Sequence, residues 1–111
     1  MTKWIKPYNR ATPIDVVSDG STLLCLVPEE EGLWTVQQRR KRTDTRTPSG
    51  YSWAVARSFT GNGVEAREHI ERLLSLPAWS YHAMLLEQDA KAWGAYTAAM
   101  CRLPVAQARE A

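Results

Sequence analysis

Tyr51-Ser52-Trp53-Ala54-Val55-Ala56-Arg57-Ser58-Phe59 alternates side chains in the manner of a strand. After Thr60-Gly61-Asn62-Gly63, the residues Ala66, Ile70, Leu73 and Leu74 then recur at helical spacing. The period of the apolar pattern thus changes near residue 60, from about 2 to about 3.6 residues. A chain that is strand-like before one point and helical after it reads as an α+β domain. In the alternating segment, Tyr51, Trp53, Val55, Arg57 and Phe59 fall on one predicted face. Ser52, Ala54, Ala56 and Ser58 make a face of small residues against which a helix can pack closely.

Upstream, residues 33–40 alternate in the same way, with Trp34, Val36 and Gln38 on one face and Leu33, Thr35 and Gln37 on the other. Residues 22–27 are almost continuously apolar and end at Pro28, the pattern of a covered central strand. Residues 14–17 make a further short strand, closed by the turn signal Ser18-Asp19-Gly20-Ser21. Glu29-Glu30-Glu31-Gly32 makes an acidic turn. The segment 41–50, ending Thr47-Pro48-Ser49-Gly50, exceeds a two-residue hairpin and is expected to be a mobile, protruding loop.

Downstream, Asn62 with Glu65 three residues on forms a capping-box start, and Pro77 stops the first helix. A second helix is expected from residues 75–80 to about Arg102, before Pro104, with Leu85, Ala92, Tyr96, Ala99 and Leu103 on one face beside Leu86, Trp93 and Met100. Asp89 interrupts that stripe, as an edge position paired with a basic neighbour from the sheet or as part of a face turned to a partner. The expected architecture is an antiparallel meander of three to four strands followed by two antiparallel helices packed on one sheet face. It is one domain over residues 1–111: an N-terminal arm 1–12, a sheet 13–59, helices 62–103 and a tail 104–111.

A chain of 111 residues buries enough surface to fold without staples. Cys25, in the apolar run, and Cys101, in the helical pattern, read as buried free thiols of a cytosolic protein. No stretch approaches the roughly 20 apolar residues of a membrane span, and the N-terminus lacks the apolar core of a signal peptide. The expected location is the cytoplasm, with no membrane partner. Five Trp and four Tyr stand against one Phe. Such amphipathic aromatics fill small cores and are enriched at interfaces; Trp4 and Tyr8, ahead of the first strand, are the clearest candidates to face a partner.

Charge is concentrated in one place. Residues 39–46 hold Arg39, Arg40, Lys41, Arg42 and Arg46 with a single Asp, a balance of +4 in a chain of net charge +2. That pattern suits docking on an acidic protein, contact with nucleic acid, or a solvated loop that keeps a sheet edge soluble. Residues 29–31 put three carboxylates at the other end of the same strand, roughly 25 Å away for an extended segment. A duplex laid along the whole sheet would meet both signs, so only the basic end suits a polyanion.

Catalysis needs an acid, base or nucleophile in a defined set, and no such set stands out, so an enzyme is not expected. His69 one turn after Glu65 is the pattern of a solvated helix face. Cys25, Cys101, His69 and His82 are metal-ligand types without close pairing, and no metal or cofactor is expected. Gly61-Asn62-Gly63 ahead of a helix could cradle a phosphate but is better explained as a cap.

The small meander followed by Phe59-Thr60-Gly61-Asn62 and two helices resembles the layout of some small phage-borne anti-CRISPR proteins, over roughly residues 13–103. That resemblance implies a non-enzymatic inhibitor in a bacterial host cell that binds a subunit of a CRISPR effector complex and blocks DNA access or nuclease recruitment. It transfers no functional residue. The same strand-strand-helix order is similar to the DNA-binding domains of phage integrases and AP2-type factors, whose strands enter a major groove; here the outward base-readers are limited to Gln38, Arg40 and Arg57. The leading expectation is therefore a binding protein with a protein or nucleoprotein partner. Arg39, Arg40, Lys41, Arg42 and Arg46 would supply charge, and Trp34 or Tyr51 an aromatic anchor. Direct DNA binding is the alternative.

Overall fold

The computed structural model describes residues 12–106. Strands β1 (Ile14–Ser18), β2 (Thr22–Pro28), β3 (Leu33–Thr43) and β4 (Tyr51–Asn62) form one sheet in the order β1-β2-β3-β4, each pair antiparallel. Helices α1 (Gly63–Leu74), α2 (Ser80–Gln88) and α3 (Ala90–Met100) follow, with short 3-10 turns at Glu30–Gly32 and Pro77–Trp79. The α+β order expected from the change of period is the order adopted. Trp4 and Tyr8 lie outside the described residues. No helix among these residues is long and apolar enough to cross a membrane.

Tight turns make the meander possible. The Asp19 carboxylate accepts the backbone N–H groups of Ser21 and Thr22, each at 2.7 Å, and Gly20 takes φ +93°. An Asx-type turn of this kind reverses the chain in three residues. Between β2 and β3 the acidic segment coils once, with Glu31 and Gly32 both left-handed at φ 59° and 77°.

The helices cover one face of the sheet, and on the other Leu23 and Cys25 are also buried. Leu24 and Leu26 of β2, Val36 of β3 and Val16 and Val17 of β1 meet Ala66, Ile70 and Leu73 of α1, Trp79, and Ala99, Met100 and Leu103 at the end of α3. Each large apolar side chain so buried contributes roughly 1.5–3 kcal/mol. The α1 start is held by the expected capping box: Glu65 N–H donates to Asn62 Oδ1 at 2.8 Å, and Asn62 N–H to Glu65 Oε1 at 2.9 Å. Arg67 of α1 donates to the backbone carbonyls of Met100 and Leu103, capping the C-terminal end of α3. The sequence alone did not single out that tie.

Several expectations change. The second helical segment is two helices, because Asp89 at φ −116°, ψ 109° leaves the helix and its carboxylate accepts from Lys91 N–H and Ala92 N–H. Asp89 is thus an exposed N-cap, and neither a sheet partner nor part of a stripe. Cys101 is exposed, not buried, since it falls at the end of α3 where the chain turns outward; Cys25 is fully buried, and both are free thiols. Residues 41–43 belong to β3, so the protruding loop shrinks to a turn over residues 44–50.

The largest difference is in β4. Gln38 pairs with Arg57 but Arg39 pairs with Val55, so Ala56 is an extra residue that bulges from the ladder. Neighbouring residues of β3 face opposite ways, and the bulge therefore flips the strand's alternation. Arg57 and Phe59 share the helix-covered face, whereas Tyr51, Trp53 and Val55 lie on the other. The helix packs over Phe59 and Gly61 and not over the small residues: the rings of Phe59 and His69 stack at 4.3 Å, and a Cβ at Gly61 would sit 2.6 Å from Glu65 Oε1.

Candidate binding surface on the β3–β4 hairpin

Strands β3 and β4, of 11 and 12 residues, are longer than β2, whose 7 residues end their pairing with β3 at Thr22↔Arg40. One further bond, from Lys41 N–H to the Ser21 carbonyl at 2.9 Å, marks the limit of the four-stranded sheet. Beyond it Arg42 and Thr43 pair only with Ser52 and Tyr51, so the basic run leaves the sheet as a two-stranded ribbon.

Being strand and not loop, the run divides by alternation. Arg39 and Lys41 lie on the face without helices, Arg40 and Arg42 on the face with them. On the open face Arg39 Nε–H donates to Gln37 Oε1 at 2.9 Å, and Gln37 Oε1 also lies 3.7 Å from Cys25 Sγ. The buried Cys25 has its thiol pKa pushed up, mainly by burial, with the Arg39 charge opposing this. Toward the hairpin tip, Lys41 Nζ stands 4.0 Å from the Tyr51 ring centroid and 6.0 Å from that of Trp53. The two rings meet edge to face at 6.3 Å. Val55, 49% exposed, extends this surface next to Arg39. The open face of the hairpin is thus a cation–aromatic cluster.

The turn is closed on itself. Asp44 N–H donates to the Gly50 carbonyl at 3.0 Å and Gly50 N–H to the Thr47 carbonyl at 3.1 Å, while Thr47 Oγ1 donates to the Tyr51 carbonyl at 2.9 Å. Arg46 Nε lies 3.0 Å from Asp44 Oδ1, and the hydrogen bonds from Arg46 hold the Asp44 carboxyl below its usual range. Arg46, named from sequence among the electrostatic contacts, has its own counter-charge in Asp44.

Trp34, named as an aromatic anchor, is elsewhere. It faces the helices, pairs with Gly61 at the far end of β3 and packs against the core. At that end Thr35 Oγ1 donates to Glu29 Oε2 at 2.7 Å and shares a 2.8 Å bond with Thr60. Glu29, Glu30 and Glu31 are exposed there, so the acidic and basic ends of β3 stay separate. Trp53 and Val55 join the cluster although sequence reasoning did not choose them. An unbroken alternation concealed their face, since nothing in Val55-Ala56-Arg57 signals a bulge.

The other candidates have structural partners. His69 stacks on Phe59 instead of pairing with Glu65; burial pushes its pKa below the usual value, and the charge of Arg72 adds to this. Glu65 occupies the Gly61-Asn62-Gly63 cap, the position weighed above for a phosphate. Among the described residues no three His, Cys, Asp or Glu side chains gather to hold a metal ion. Comparison with protein-family models, with curated proteins and with solved structures found no match.

Proposed function

We propose that this chain is a small non-enzymatic binding protein, of the kind carried by phages and mobile elements, that inhibits a nucleic-acid-handling complex by docking its β3–β4 hairpin on an acidic surface of one subunit. A CRISPR effector subunit is the partner class in view. The observation that supports the reading is the Lys41–Tyr51–Trp53 cluster on the face of the projecting ribbon that bears no helix among the described residues. Tyr, Trp and Arg are the side chains enriched at the energetic centres of protein interfaces, and this face presents Tyr51, Trp53 and Arg39. An exposed cation–π contact is worth about 0.5–1 kcal/mol, which biases Lys41 and the rings toward this arrangement before a partner arrives. Replacing residues 39–42 by Glu is expected to abolish partner capture while leaving the fold intact; undiminished capture would remove this hairpin from the account.

A second reading, direct DNA binding, draws on the opposite face, where Arg40, Arg42 and Arg57 are exposed without an ion-pair partner among the described residues. Phosphate contacts weaken steeply with salt. A mobility-shift titration at two salt concentrations separates the readings: a shift at low salt that vanishes at high salt supports DNA, and none at low salt rejects it.

A further inference from the structure

The bulge at Ala56 has a second result besides the aromatic cluster: it turns Arg57 onto the face that carries Gln38 and Arg40. Arg40 and Gln38 are alternate residues of β3, and Arg57 is paired with Gln38, so the two guanidinium groups start from diagonal positions of one sheet face. There the helices leave a recess of about 400 Å³, lined by Arg40, Arg57, Gln38, Asp19, Tyr81 and His82, with Trp79 among its walls. Trp79 and His82 are buried, with rings 4.5 Å apart, while Tyr81 is 54% exposed.

The charge balance of this recess favours an anion. Asp19 is its one carboxylate, and it is already engaged: Oδ1 accepts two backbone N–H groups at 2.7 Å, and Oδ2 lies 3.6 Å from His82 Nε2. His82 Nε2 is also 3.3 Å from the Thr22 carbonyl, so this nitrogen faces two oxygen acceptors of the protein itself. Arg40 and Arg57 have no such counter-charge among the described residues. Two guanidinium forks that line one recess from diagonal positions can together match the several oxygens of a phosphate. The volume is that of a small-molecule site, and the Tyr81 ring offers a face on which a base can stack.

We infer that this recess binds the phosphate of a nucleotide, held between Arg40 and Arg57 with its base against Tyr81. The nucleotide is free in solution or terminal on a strand; the chemistry is shared. Tyr51 and Trp53 of the docking cluster lie on the opposite face, but Arg39 also borders the recess and Arg40 belongs to the 39–42 set, so Arg57 is the residue that separates the two sites.

Titration of the isotope-labelled protein with AMP, inorganic phosphate, adenosine and a 5′-phosphorylated dinucleotide tests this. AMP is expected to shift the Arg40 and Arg57 side-chain N–H signals and the Tyr81 ring signals saturably at millimolar concentration or below. Phosphate should shift the arginines alone, and adenosine should be far weaker than AMP. Arg40→Gln and Arg57→Gln should each weaken AMP about tenfold or more, and Arg42→Gln, further out on the ribbon, should not. Dinucleotide binding tighter than AMP assigns the recess to a strand terminus, and equal or weaker binding to the free nucleotide; both support the site. No saturable shift with AMP, adenosine as strong as AMP, or an Arg42→Gln effect as large as that of Arg57→Gln would each overturn it.

Discussion

Val55 and Arg57, two residues apart on one strand, face opposite sides of the sheet, because Val55 pairs with Arg39 and Arg57 with Gln38. An uninterrupted strand would have put them together. The single extra residue, Ala56, separates a cation–aromatic surface on one face from an arginine-lined recess on the other. Deleting Ala56 should remove the bulge and leave Val55 opposite Arg39 and Arg57 opposite Gln38 as direct neighbours, so residues 51–55 keep their face. The expected outcome is that the Lys41–Tyr51 and Phe59–His69 nuclear Overhauser contacts are both retained, and loss of the first would contradict this register.

Lys41 lies over Tyr51 at 4.0 Å, so its side-chain methylene protons should be ring-current shifted upfield. Tyr51→Ala should return those shifts to ordinary values and cost less than about 1 kcal/mol of stability, because the pair is exposed. Chemical denaturation and the proton spectrum check both halves of this prediction.

The α1–α3 tie should be unforgiving. A Cβ added at Gly63 would run into the Pro104 ring, so Gly63→Ala is expected to cost about 1–3 kcal/mol. Pro104→Ala in the same chain should recover much of that loss. Asn62→Ala removes one half of the capping box and should cost about 1 kcal/mol, without such rescue. Urea unfolding of Gly63→Ala and Asn62→Ala, each alone and combined with Pro104→Ala, distinguishes a clash from a lost cap.

His69 gives a pH dependence with a defined sign. Burial, and then the Arg72 charge, depress its folded-state pKa below the ordinary 6.5. Between that depressed value and 6.5 the unfolded chain binds more protons than the folded one, so stability rises with pH across the window. The contribution is complete above pH 6.5 and is lost as pH falls through the folded pKa. A His69→Gln variant should flatten this part of the stability profile, and an NMR titration should find the His69 midpoint below that of a model peptide.

Much of the fold was legible because its signals are local and redundant. The change of period near residue 60, the Asp19-Gly20 turn, the Asn62/Glu65 box and the Pro77 stop each act within a few residues, and all appear as read. What escaped depends on tertiary pairing. Residues 41–43 look like loop until the matching strand 51–53 extends them, and Ala56 bulges only through its register with Arg39. Asp89 is different: an Asp directly before Ala90-Lys91-Ala92-Trp93 is a readable N-cap, hidden because the apolar stripe was followed across it. For the candidate site, the sequence located the charge but not its division between two faces. It thus missed Trp53 and Val55 and included Trp34, which belongs to the core.

The central claim is that the open face of the hairpin, and not charge in general, captures the partner. Affinity capture from a bacterial lysate should be run in parallel with the natural chain, a Lys41→Glu/Trp53→Ala variant and a Glu30→Ala/Glu31→Ala variant, each shown by circular dichroism to be folded. The account predicts that a nucleic-acid-handling protein retained by the natural chain is kept by the acidic-end variant and lost from the hairpin variant. Equal retention by all three, or by none, would contradict it.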